Sequence, residues 1–114
     1  MVAYTPLSDA EVDRIFRALA DSTRRDILRR VLAQESAVSE LAALYDMSFA
    51  AVQKHVAVLE EAGLVTKHPR GRQRLVRGEP ERVTRARQLL AHIEEMWRGR
   101  IDRLDALLSP PNGD

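Results

Sequence analysis

Cysteine is absent from the 114 residues, which excludes disulfides and thiolate metal sites. Aromatic side chains make up only 4% of the chain, so its core has to be assembled from Leu, Val, Ile and Ala. No apolar run is long enough to span a bilayer. The opening stretch MVAYTPLSDAEVDR lacks a basic start followed by an apolar block, so no secretory signal is expected. Enzyme signatures are missing too: there is no phosphate-cradling glycine loop and no Ser/His/Asp arrangement. The acidic pairs Glu60-Glu61 and Glu94-Glu95 are adjacent, so on a helix their side chains diverge by about 100° and cannot converge on a substrate. These absences predict a cytoplasmic, non-enzymatic chain without catalytic residues, cofactor or membrane association, folded as one domain over residues 1–114.

What is present is charge in one place. The net charge is only +1, yet Lys67, Arg70, Arg72, Arg74 and Arg77 fall between Gly63 and Gly78 with no acidic residue among them. That stretch carries +5 and leaves the remainder at −4, and it reads either as the footprint of a nucleic-acid contact surface or as a solvated charged hairpin.

The elements are read from caps and periodicity. Residues 1–7 form an N-terminal arm. Ser8 with Glu11 makes a capping box, Leu7 and Val12 a hydrophobic staple, and Val12, Ile15, Phe16 and Leu19 recur at helical spacing as far as Ala20. Asp21, Ser22 and Thr23 cap a second helix that buries Ile27, Leu28, Val31 and Leu32 opposite the basic pairs Arg24-Arg25 and Arg29-Arg30. A helix-turn-helix is expected over 39–62. Its first helix, SELAALY, turns Leu41, Ala42 and Tyr45 inward, Asp46-Met47 is the tight connector, and a helix capped by Ser48 runs to Ala62 before Gly63 stops it. Leu64–His68 and Arg72–Val76 read as strands around a Pro69-Arg70-Gly71 turn, a hairpin within 64–77.

From Pro80 to Leu108 a single helix carries Val83, Ala86, Leu90, Ile93, Trp97, Ile101, Leu104 and Leu108 on one seam, over about 42 Å. So small a body cannot cover that length, so a second copy is the expected cover, with Leu90, Ile93, Trp97, Ile101, Leu104 and Leu108 as the dimerisation face. Gly99 inside it marks either a close crossing or a bend. The tail SPPNGD, 109–114, is expected to be flexible. The fold class is therefore mainly α with a small β-hairpin: a winged helix-turn-helix with a long C-terminal dimerisation helix.

On the helix from Ser48, the buried Val52, Val56 and Leu59 leave Ala50, Gln53, Lys54 and Ala57 facing outward. Small alanines let a helix settle into the major groove, where base-pair patterns are distinguishable. Gln53 suits adenine or a phosphate, Lys54 guanine or the backbone, and Ser48 sits where helix amides favour a phosphate. Phe49 reads either as a thymine-methyl contact or a core plug, and His55 either as a packed, hydrogen-bonded residue or a base reader. Lys67, Arg70, Arg72 and Arg74 are the expected wing contacts to flanking phosphates or minor groove.

The stretch LADSTRRDIL, then SELAALYDMSFAAVQKHVAVLEEAGLV, then the basic hairpin, resembles the ArsR-type winged-helix repressors over roughly Val12 to Leu108. The resemblance implies a homodimeric repressor or autorepressor on an inverted-repeat DNA operator, with half-sites about one helical turn apart or a multiple of it. Many relatives sense metals, but here the cysteine pair of one such site is missing from ESAVSELAA. The C-terminal histidine set is reduced to His92, with Leu90 at the aspartate position. No metal is therefore expected, although His92 and Glu95 share a helical face. The stretch EMWRGRIDRLDALL resembles metal-independent members, which answer to a small molecule, to another protein or to nothing. Trp97 reads as a seam residue or as the wall of an apolar ligand pocket. The competing expectation is a winged-helix module for protein–protein assembly without DNA binding. It calls for apolar or acidic residues where Lys54 and the arginines stand. RNA is disfavoured because the basic element lacks stacking aromatics.

Overall fold

The computed structural model describes residues 7–108, and the expected N-terminal arm (apart from Leu7) and C-terminal tail lie outside the described residues. Helix α1 (Asp9–Leu19) begins on the anticipated reciprocal cap. The Glu11 amide donates to Ser8 Oγ at 3.1 Å and the Ser8 amide donates to Glu11 Oε1 at 3.0 Å. Leu7 packs against the core beside it. Helix α2 (Ser22–Ala33) is capped by Asp21, whose Oδ2 accepts from the Arg24 amide at 3.0 Å.

Ile27, Leu28 and Val31 of α2 are buried, but Leu32 is not: it is 38% exposed. Its side chain lies over Gly78, where an added Cβ would stand 2.6 Å from Leu32 Cδ2 and 2.9 Å from the Leu32 backbone. Leu32 therefore clamps the end of a strand instead of filling the core. Gly78→Val is expected to destabilise the fold by about 1–3 kcal/mol through overpacking, read as a lower urea midpoint.

A two-residue strand β1 (Ser36–Ala37), not anticipated from sequence, precedes helix α3 (Val38–Ala42). Strands β2 (Val65–Arg70) and β3 (Gln73–Gly78) form the hairpin, and β1 pairs with β3 through Ser36↔Val76 and Ala37↔Leu75. The antiparallel sheet has the order β1-β3-β2. Both hairpin strands extend beyond the expected limits: Pro69 pairs with Arg74 and Arg70 with Gln73, leaving Gly71-Arg72 as the loop. Proline is tolerated because β2 is an edge strand. Gly71 takes φ +63°, and glycine first in a two-residue loop matches the twist of the strands it joins.

Helix α4 (Phe49–Glu61) ends at Gly63, φ +75°. The Gly63 amide donates to the Glu60 carbonyl and the Leu64 amide to the Leu59 carbonyl, the paired bonds of a Schellman stop. The core is the meeting of α1, α2, α3, α4 and the sheet around Ile15, Ile27, Leu41, Val52, Val56, Leu59, Leu64, Val65 and Val76, all below 2% exposure. As expected from composition, no aromatic side chain is among them.

Helix α5 (Pro80–Leu108) has the anticipated limits and runs through Gly99 without a break. At 100° per residue Gly99 falls on the side of α5 opposite Leu90 and Leu108, so it does not mark a crossing on the seam. Only its base joins the core, through buried Ala86 and part-buried Val83. An Arg82–Glu11 ion pair of 2.7 Å ties that base to α1. The rest projects outward. The radius of gyration is 19.9 Å, against about 13 Å for a compact domain of this length. Among the described residues no helix is long and apolar enough to cross a membrane.

The hydrogen bond from Arg82, followed by those from Ser8, holds the Glu11 carboxyl at about 2, below its usual 4.5. A depressed carboxyl stabilises the fold above the unfolded value and loses that contribution as pH falls through the folded one. Acid unfolding of the wild type is thus expected to steepen between pH 4.5 and about 2, and Glu11→Gln to flatten that interval in a circular-dichroism titration.

Candidate nucleic-acid interface

Ser48 caps α4, its Oγ accepting from the Ala51 amide at 3.1 Å, and so sets where the helix begins. Burial of Val52, Val56 and Leu59 then fixes the rotation of the helix. Ala50, Gln53 and Lys54 are exposed on the opposite side, with Ala57 part-buried one turn further on. Gln53 and Lys54 have no side-chain partner among the described residues. Phe49 is 49% exposed, so it is not a core plug.

The hairpin faces the same opening. Phe49 and Gln53 line a groove together with Lys67, Arg72, Gln73 and Arg74, and Ala37, Val38 and Ser39 at the start of α3 close its end. Among the described residues no acidic side chain lines it. Arg70, Arg72 and Arg74 are exposed and have no ion-pair partner among the described residues. Lys67 differs: its side chain is 22% exposed and its Nζ stands 3.5 Å from Glu60 Oε1. It braces β2 against the end of α4 as well as lining the groove. Arg77 is drawn away from the groove, its Nε lying 3.5 Å from Glu35 Oε2.

Sequence reasoning missed Gln73, although it stands between Arg72 and Arg74 and enters the groove with them. It also placed Arg24 on an outward basic face, which the structure corrects. Arg24 is part-buried, its Nε donating to the Ala18 carbonyl at 2.8 Å and a terminal nitrogen to the Arg17 carbonyl at 2.9 Å. Its other terminal nitrogen is 3.2 Å from His55 Nδ1. His55 is therefore on the inner flank of α4, away from Gln53 and Lys54. A second tie holds the helix-turn-helix connector. Tyr45 Oη donates to Asp26 Oδ2 at 2.6 Å, so Tyr45 turns inward although α3 has already ended at Ala42. Burial first, then the Asp26 contact, pushes the Tyr45 hydroxyl up to about 12, while bonds from Tyr45, Arg30 and Arg29 hold the Asp26 carboxyl far below its usual range.

The seam residues of α5 are all open: Leu90 and Ile93 are 51% exposed, Trp97 60%, Ile101 39%, Leu104 50% and Leu108 80%. Met96 and Leu107, which the seam reading omitted, are exposed as well, about 60° and 40° beyond Ile93 around the helix. His55, His68 and His92 lie on different elements. Among the described residues no group of three or more His, Cys, Asp or Glu could hold a metal ion.

A short helix, a turn, an outward-facing second helix and a basic antiparallel hairpin define the winged helix-turn-helix class. A helix-turn-helix domain profile matches residues 19–68. HTH-type transcriptional regulator Rv2034 of Mycobacterium tuberculosis is 38% identical over 85 residues, covering 75% of this chain and 77% of that protein. The crystal structure of an ArsR family transcriptional regulator superposes with a TM-score of 0.75 at 36% identity, covering 82% of this chain and 97% of that one. The homodimeric winged helix-turn-helix DNA-binding domain of a possible ArsR-family regulator from Mycobacterium bovis gives 0.62 at 26%, covering 81% and 91%. The chain belongs to the ArsR family of helix-turn-helix transcriptional regulators.

Proposed function

We propose that two copies of this chain bind an inverted-repeat DNA operator and repress transcription from it. In this reading α4 of each copy enters the major groove and each wing contacts the flanking backbone or minor groove. The observation that carries it is the shared groove: Phe49 and Gln53 of α4 and the basic wing open onto one surface that, among the described residues, no acidic side chain lines. Gln53 reads base edges from that groove and Lys54 from the exposed side of α4 beside it, with Ala50 and Ala57 permitting close approach. Phe49, half-exposed at the first turn, meets a thymine methyl. Arg70, Arg72 and Arg74 supply affinity with little sequence information.

Dimerisation is supported by the open seam on α5 and by the homodimeric state of the Mycobacterium bovis neighbour. The apolar side chains cluster on one side of a helix that the rest of the chain leaves uncovered, and an isologous pair covers both seams at once.

Selection of binding sites from random duplexes at a stated salt concentration tests the reading. The expected product is an inverted repeat with half-sites about one helical turn apart or a multiple of it. If the dimer neutralises six to ten phosphates, affinity falls by roughly 10³ to 10⁵ between 50 and 200 mM salt. A protein that enriches no duplex even at low ionic strength would refute it.

A further inference from the structure

Arg24 and His55 form a junction that DNA contact does not use. The Arg24 guanidinium is fixed by the carbonyls of Ala18 and Arg17 at the end of α1, at 2.8 and 2.9 Å. One terminal nitrogen remains, 3.2 Å from His55 Nδ1. The imidazole is packed, its side chain 21% exposed, and it belongs to the helix that carries Gln53 and Lys54.

A guanidinium has only donors, so this contact is a hydrogen bond only while Nδ1 keeps its lone pair and the ring proton sits on Nε2. A proton on Nδ1 replaces donor and acceptor by two cations at the same place. Among the described residues the one carboxylate facing the ring is Asp21 of the α2 cap, which accepts from the Arg24 amide at 3.0 Å and stands 3.9 Å from Nδ1. It is beyond hydrogen-bond reach and offsets only part of the repulsion from the guanidinium at 3.2 Å. Among the described residues the α1 groups at this junction are the Ala18 and Arg17 carbonyls that hold Arg24. On α4 itself Ala51, Val58 and Leu59, one turn away, are apolar, and Lys54 is exposed on the other side.

We propose that Arg24 and His55 are a proton-sensitive latch that orients α4: neutral His55 holds the helix against α1 and α2 in the geometry that reads DNA, and protonated His55 releases it. The proposal rests on α4 being the DNA-reading helix. His55 is then a positioning residue, and the sign of the pH response separates it from a contact residue. A histidine that touched a phosphate would bind DNA more tightly when protonated, whereas the latch binds less tightly.

The test has two arms on the intact chain. In the first, affinity for the selected duplex is measured at constant ionic strength between about pH 8 and pH 5, where histidines change charge. Wild type should lose tenfold or more on acidification. His55→Gln, which has no titrating group, should show less than a twofold ratio between the two pH values whatever its affinity at pH 8, and His68→Gln should keep the wild-type ratio. In the second arm, without DNA, amide exchange in α4, corrected for intrinsic pH dependence, should quicken on acidification in wild type and not in His55→Gln. Tighter binding in acid, an acid response that persists in His55→Gln, or α4 exchange indifferent to pH overturns the latch. Absence of binding at every pH defeats the DNA reading instead, and the exchange arm still decides the latch.

Discussion

Ile101→Glu is expected to turn the protein into monomers and to reduce affinity for a two-half-site operator by at least 10²-fold. Taken at 100° per residue, Leu90, Ile93, Trp97, Ile101, Leu104 and Leu108 span about 80° of the α5 circumference, a strip as wide as a helix–helix contact. Ile101 is the least exposed of them at 39% and lies on the strip about 40° round the helix from Trp97 at its centre. A carboxylate there would be buried against the partner's apolar seam, and an uncompensated buried charge costs several kcal/mol. A symmetric interface doubles that penalty, because each copy carries the substitution. Joining two half-site contacts through one dimer raises avidity by roughly 10² to 10⁴, so separated protomers lose that factor with every DNA-contacting residue intact. Light scattering reads the mass and a shift assay the affinity. Gly99→Ala is the control. Gly99 lies on the other side of the helix and an added Cβ meets only Arg103, at 3.5 Å, so dimer mass and binding should be unchanged. An Ile101→Glu protein that still scatters as a dimer would place the interface elsewhere.

The legible parts of the fold were those whose cause is local. The Ser8–Glu11 box, the Ser48 cap, the Gly63 stop and the Pro80 start each specify a helix end within a few residues, and the structure places all of them as expected. The long period of α5 was equally readable. What escaped depends on neighbours distant in sequence. Ser36-Ala37 has no periodicity of its own and becomes a strand only by pairing with Val76 and Leu75. Leu41, Ala42 and Tyr45 keep a helical spacing, but α3 ends at Ala42 and Tyr45 reaches the interior through its bond to Asp26. Leu32 continues the buried period of α2 yet meets Gly78 at the end of β3.

The candidate interface divides the same way. That Gln53 and Lys54 point outward follows from the burial period of α4, and that the wing is basic follows from counting charges. That Gln73 shares the groove, that Lys67 leans on Glu60 and that Arg24 turns inward could not be read from a charge run. Charged pairs on a helix ordinarily stay in water, and the carbonyls ending α1, together with His55, give Arg24 a reason to leave it.

Arg72→Ala with Arg74→Ala is expected to weaken binding to all duplexes alike while leaving sequence preference in place. Both arginines are exposed on the hairpin, and neither has a partner among the described residues, so no internal bond is broken by removing them. The fold should keep its unfolding midpoint within about 0.5 kcal/mol, the usual range for surface positions. Four arginines leave the dimer. If each neutralises one phosphate, the slope of log affinity against log salt becomes shallower by about 3.6, at about 0.9 per contact. The wild-type loss between 50 and 200 mM salt then shrinks by roughly 10²-fold. Backbone contacts carry no base information, so operator and unrelated DNA lose affinity together. Gln53→Ala supplies the contrast: one good base pairing is worth about 1–3 kcal/mol of discrimination, so the preference for the selected site should fall with little change in salt slope. Arginine's suitability for narrow A·T-rich minor grooves adds a further expectation, that the double variant loses most where the flanks are A·T-rich. Affinity and slope both unchanged in the double variant would remove the wing from the DNA interface and leave α4 alone on the duplex.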